Sequence, residues 1–183
     1  MPQTLHAIDM PVARAGLVAD SGITQDTISR RAEDAAGAAA GTFMVPGTDA
    51  EAQAIVPTSA VEITDGDGLG VLMYDASKMP AIGATAIAAG NEYDDEDMLP
   101  ILGNGRIWVR CDPAASIVAN TPAFVRFAAG GGGTVLGAFR EDADTASAAA
   151  LPNGVFRSAH RDVDFDQAGV QRVALVQLNL PSV

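Results

Sequence analysis

What limits this chain most is the brevity of its apolar alternations. RIWVRC (Arg106 to Cys111) puts Ile107, Val109 and Cys111 on one side and Arg106 and Arg110 on the other. VALVQLNL (Val173 to Leu180) sets Ala174, Val176, Leu178 and Leu180 against Gln177 and Asn179. A period of two is that of a strand with one buried face. Other short apolar runs are FVRF (Phe124 to Phe127), GTVLGAF (Gly133 to Phe139) and LGVLMY (Leu69 to Tyr74). TFMVPGTDAEAQAIVP reads as two strands about a polar turn at Gly47 to Ala50, and ITDGDG (Ile63 to Gly68) as a further turn. Many short strands with turns between them predict an all-β fold, mainly an antiparallel β-sandwich or barrel-like domain. Strands do not alternate with helices, which argues against a parallel α/β sheet.

The first 31 residues carry no clear period. Pro2 and Pro11 interrupt them, and ADSG (Ala19 to Gly22) is a turn signal. We expect residues 1–31 to form an extended arm and residues 32–183 a single β-rich domain. SRRAEDAAGAAAG (Ser29 to Gly41) is ambiguous. Ser29 and the alanines favour a helix, while Gly37 and Gly41 weaken it. A chain of 183 residues buries about 70% of its unfolded surface and needs no metal or disulfide to fold. Aromatic residues make up only 5%. That suggests a thin core completed by contact with other subunits.

Charge narrows the partners. Eleven basic residues against 23 acidic ones leave a net charge of −12. Nucleic acid and anionic membranes both require a basic face, so neither is expected as a partner. Cys111 is the single cysteine, so an intramolecular disulfide and a cysteine zinc cluster are excluded. Its setting in RIWVRC suggests a buried thiol. MPQTLHAIDMP lacks the basic start and apolar run of a secretory signal, and no stretch approaches the ~18 apolar residues of a membrane span. Synthesis in the cytoplasm is expected.

No chemical motif survives inspection. Gly130, Gly131, Gly132 and Gly133 are followed by Thr-Val, without the lysine of a Walker loop or the spacing of a dinucleotide loop. A side-chain-free loop that lets backbones pass closely is the better reading. Counting from Asp65, DGDGLG supplies only the glycine of a calcium loop. Asp94 to Asp97 could hold a cation loosely, but an acidic run is ordinarily a solvated loop. Ser158, His160 and Asp162 lie too close together in sequence to converge easily as a triad, and the serine has no nucleophile elbow. We therefore expect no catalytic residues, no cofactor and no metal.

One long stretch is more specific. FVRFAAGGGGTVLGAFREDADTASAAALPNGVFRSA (Phe124 to Ala159) resembles the structural cement, or head decoration, proteins of tailed bacteriophages. In that family a strand like FVRF precedes a Gly-rich loop, then LGAFR, an Asp-Ala-Asp and Ala-rich stretch, and a final strand like VALVQLNL. AGLVADSG (Ala15 to Gly22), SRRAEDA (Ser29 to Ala35) and GNGRIWVRC (Gly103 to Cys111) follow the family's order along nearly the whole chain. AGAAAGTF stands where the family has a Pro-Phe-Gly strand start, and residues 75–98 diverge. The resemblance favours extended chain over helix at residues 36–42.

The resemblance implies a non-enzymatic virion protein. Made in the host bacterial cytoplasm, it would bind the outer surface of the capsid and tie major capsid protein subunits together. A homotrimer is favoured over a dimer. Arg14, Leu17, Val18, Asp20, Arg30 and Arg31 are the candidate capsid contacts, and Gly130 to Gly133 a candidate inter-subunit loop. A tail, fibre or vertex module binding host glycan is the alternative, but the chain offers few aromatic platforms for sugar: Trp108, Tyr74, Tyr93 and six Phe. A small hydrolase would be a third class, without a recognisable nucleophile arrangement.

Overall fold

The computed structural model describes residues 14–19, 26–33, 38–65, 68–75, 93–129, 134–164 and 170–179. In chain order the elements are β1 (Asp26–Ala32), β2 (Phe43–Pro46), β3 (Gln53–Ile55), α1 (Ala60–Thr64), β4 (Gly70–Leu72), β5 (Met98–Arg110), β6 (Pro122–Arg126), β7 (Phe139–Arg140), β8 (Ala148–Phe156), β9 (Arg161–Asp164) and β10 (Val170–Asn179).

Strand β5 organises the molecule. The strands run β1-β3-β2-β4-β5, and β1 pairs back onto β5, which closes a ring. The second half of β5 continues through β10, β8, β6 and β7. Phe139 of β7 then bridges Cys111, just past the end of β5, which closes a second ring. The result is a barrel-forming sheet in which one strand serves two rings. Along one edge of β5, β1 occupies Met98 to Asn104 and β10 occupies Asn104 to Arg110. Along the other, β4 sits against Ile101 and Leu102.

Two cores follow from this layout. Met44, Leu72, Leu99, Ile101, Ala32 and Ala54 pack together inside the first ring. Ile107, Val109, Val125, Phe139, Phe156 and Val176 fill the second. Neighbouring residues of β2, β4 and β5 go to different cores: Phe43 and Val45 against Met44, Val71 against Leu72, Leu102 against Ile101. A strand buried on both faces reads as a continuous apolar run, which is why FMV and GVL do not alternate. Phe43 and Phe139 meet edge to face at 6.2 Å. Short α1 adds Ile63 to the second core. The Glu62 carboxylate accepts the backbone N–H groups of Thr58 and Ser59 at the helix start.

The alternations in RIWVRC and VALVQLNL hold over the described residues: Ile107, Val109 and Cys111, and Ala174, Val176 and Leu178, are buried, while Leu180 lies outside them. Three stretches differ from the expectation. Among the described residues of GTVLGAF only Phe139 pairs as strand, because Gly137 (φ 74°) turns the chain and donates to the Arg126 carbonyl. The longest unexpected strand, β8, contains Pro152, Asn153 (φ 59°) and Gly154, which are turn formers by composition. The start of SRRAEDA is strand, not helix: β1 exchanges its hydrogen bonds with β5, so tertiary pairing overrides the propensity of its alanine-rich sequel.

Candidate functional site

Inside the stretch expected to be an arm, the chain is already built into the sheet. The Gly16 N–H donates to the Trp108 carbonyl at 2.7 Å, Trp108 N–H to Leu17 at 3.0 Å, and Ala19 N–H to Arg106 at 2.9 Å. Val18 pairs with Ile107, so Leu17 lies opposite Trp108. On the other side Tyr74 N–H donates to the Gly16 carbonyl. Gly16 is at φ 83°, and a Cβ there would stand 2.6 Å from the Tyr74 nitrogen, so only glycine fits. Arg14 donates to the Tyr74 hydroxyl at 2.6 Å, with its guanidinium 5.4 Å from the ring centroid.

The candidate contact residues fall into two groups. Leu17 is 37% exposed and Val18 packs on the second core. Arg30 and Arg31 lie within β1, and Arg31 pairs with Glu96 at 3.0 Å on the surface. The structure therefore brings Arg14, Leu17 and Val18 together beside the second half of β5, and Arg30 and Arg31 beside its start. Asp20, and Gly130 to Gly133, lie outside the described residues.

Sequence reasoning missed the densest polar feature. Asp112, 1% exposed, accepts Arg126 Nε at 2.7 Å and Arg140 Nη1 at 3.0 Å on one oxygen, Oδ2. Asp144 accepts the other end of Arg126 and stands 3.1 Å from Arg140 Nη1. Asp142 accepts Arg140 Nε at 2.8 Å. Two guanidiniums thus sit among three carboxylates. Burial alone would loosen the Arg126 proton, but the bonds to Asp144 and Asp112 outweigh it and raise its pKa. The Arg126 bond holds Asp144 below the usual carboxylate range. Asp144, Thr145 and Ala146 are all left-handed, at φ 40°, 54° and 67°. Such a run costs roughly 1–2 kcal/mol per residue, and the ion pairs hold it. The available signal was an arginine inside apolar FVRF followed by Asp-Ala-Asp.

The groups weighed for catalysis are engaged separately. Ser158 Oγ accepts the Leu175 N–H at 2.9 Å, His160 Nδ1 lies 3.3 Å from the Ile117 carbonyl, and Asp162 holds Arg172 at 2.7 Å. Cys111 is buried, and burial raises its thiol pKa well above the ordinary value. Among the described residues no group of three or more His, Cys, Asp or Glu could hold a metal ion.

The outer face of the second ring has a distinct composition. Arg106, Trp108 and Arg110 alternate with the buried Ile107 and Val109, so they face outward. Gln177, Leu175 and Val173 of β10 lie directly opposite them. Arg157, just past the end of β8, donates to Gln177 at 2.8 Å. Asn153, Val155, Arg157, Gln177 and Asn179 line a surface groove there. At the opposite end of β5 the turn of Asp94, Asp95 and Glu96 is exposed, and so is Met98, at 62%. The Asp94 N–H donates to the Asp97 carboxylate at 2.8 Å, which shapes that turn.

A family model described as structural cement protein (E217 gp24/Pam3 gp6) matches residues 1–179. Among solved structures, a chain from "The capsid of Myoviridae Phage XM1" is similar in fold. The TM-score is 0.61 over 97% of this chain and 98% of that one, at 18% identity. Comparison with curated proteins found no match.

Proposed function

We propose, on the premise that this chain belongs to the structural cement protein family, that it binds the outer surface of the mature phage head and bridges neighbouring major capsid protein subunits. The family match along residues 1–179 is the observation that carries this reading. The family is structural, and a non-enzymatic role is the one we assign.

The architecture suits the task. A closed barrel removes the open sheet edges that would otherwise pair with any passing strand. The chain from Gly16 to Ala19 is clamped to β5, so residues ahead of it are tethered at a fixed point on the barrel. Arg14, Leu17 and Val18 then form the base of a capsid-binding arm, and Asp20, Arg30 and Arg31, the last two at the other end of β5, are further candidate contacts. Gly130 to Gly133 would let backbones approach closely at a subunit junction. Many copies on one lattice make individually weak contacts strong through effective concentration. A homotrimer at local threefold axes fits this reading.

Two measurements test it. Purified particles should carry this protein at a fixed ratio, of order one copy per coat subunit. A handful of copies per particle would instead indicate a tail or vertex module, and absence from particles would overturn the proposal. Because β1 closes a ring, the informative truncation removes residues 1–13 and leaves Gly16 to Ala19 in place. We expect that truncation to lower capsid occupancy at least tenfold in a reconstitution assay. Full occupancy would remove the arm from the proposal.

A further inference from the structure

We propose that two copies of this chain associate head to tail, the outer face around Trp108 of one receiving the acidic turn Asp94–Glu96 of the next. The inference rests on the lattice reading above and specifies its self-contact. Trp108 and Leu175 stand opposite each other on β5 and β10, with Arg106 and Arg110 on either side and Arg157 adjacent. A half-buried tryptophan ringed by arginines is the composition that concentrates binding energy at protein interfaces. In a chain of net charge −12 such a face is complementary to the acidic surface that the same chain carries elsewhere.

The chain supplies that occupant itself. Asp94, Asp95 and Glu96 are exposed on a turn fixed by the Asp94–Asp97 hydrogen bond, and exposed Met98 beside them offers an apolar anchor. The two surfaces flank opposite ends of one strand. Met98 and Arg106 are separated by roughly 26 Å of β5 at the usual strand rise. They cannot meet within one molecule along that strand. Two unlike surfaces on one chain make a heterologous contact, which closes into a ring when the rotation permits. The proposed threefold assembly is one such ring.

The test uses two charge-reversed full-length proteins. One carries Asp94→Lys and Asp95→Lys, and spares Glu96 because it pairs with Arg31. The other carries Arg106→Glu and Arg157→Glu. Far-ultraviolet circular dichroism and thermal unfolding establish that each folds. If the second fails to fold, Trp108→Ala replaces it. Sedimentation velocity is run over a concentration series at low and moderate salt. The unmodified chain should self-associate, less so as salt rises. Each variant alone should self-associate at least tenfold more weakly. An equimolar mixture should recover a complex, since the first keeps the native arginine face and the second the native acidic turn. A strictly monomeric parent chain, variants that associate as well as the parent, or a mixture that stays apart would each overturn the inference. Occupancy on capsids is measured in parallel. Variants that still decorate particles while failing to self-associate leave the cement reading intact, and a parent that never decorates them sinks that reading instead.

Discussion

At the scale of single residues, the buried ion cluster governs stability. Asp112 Oδ2 serves two arginines, and Arg126 is fully buried. Breaking one partner of a buried pair leaves an uncompensated charge, which costs about 3–5 kcal/mol. Asp112→Ala should therefore lose stability on that order in urea unfolding, and a loss under about 1 kcal/mol, the level of an exposed pair, would refute a structural role for the cluster. Cys111 offers a separate check. Its thiol is buried and held protonated by burial, first, and by the Asp112 charge. A thiol-specific reagent at neutral pH should label it only as fast as the protein opens, and at once in denaturant. Prompt labelling of the folded protein would mean the second core is looser than its packing indicates.

At the scale of elements, the join between residues 16–19 and β5 depends on one glycine. Gly16→Ala places a Cβ against the Tyr74 nitrogen and a side chain at φ 83°, a left-handed penalty of roughly 1–2 kcal/mol before the clash is counted. We expect the Trp108 amide, which donates to Leu17, to lose hydrogen-exchange protection while the Val109 side of the strand keeps its own. Equal protection in both proteins would show that the segment is not held there. The sequence made such elements legible unevenly. Strands with one wet face, such as Arg106 to Cys111, declared themselves by alternation. Those between two cores, β2 and β4, were legible as short apolar runs without a period to orient them. β8 was hidden because Pro152, Asn153 and Gly154 carry turn chemistry, and the strand passes through them with a register shift: it pairs up to Ala150 and again from Val155. β1 was hidden because its partner is about seventy residues away, beyond any local signal. For the site the pattern is similar: VADSG and GGGG drew attention as motifs, whereas Arg126 inside FVRF and the nearby Asp-Ala-Asp were the only local trace of the buried cluster, whose hub Asp112 lies fourteen residues before Arg126.

At the scale of the whole molecule, acid should weaken the fold in a predictable direction. Asp144 and Asp162 are held below the ordinary aspartate value of 3.8, chiefly by Arg126 and Arg172 respectively. Glu33 is held below 4.5 by Thr48, and Glu62 likewise, its hydrogen bonds together exceeding the opposing effect of burial. Lowered folded values mean that the unfolded chain binds more protons near pH 4, so stability rises with pH there. The contribution is complete above the ordinary carboxylate values and is lost as pH falls through the lower folded ones. Thermal midpoints should be level from about pH 6 to 5 and drop steeply below about pH 4. The double variant Asp144→Asn and Asp162→Asn should have a shallower acid limb, and an identical limb would refute the assignment. The sharing of β5 by both rings has a mechanical consequence. Strand hydrogen bonds run across the strand. A pull between the ends of β5 therefore loads its bonds to β1, β4, β10 and Gly16–Ala19 in shear, all together. The β9–β10 hairpin, pulled from its Asp164–Val170 end, can peel one bond at a time. Stretched along β5 the molecule should act as a stiff tie, and stretched at the hairpin it should yield early.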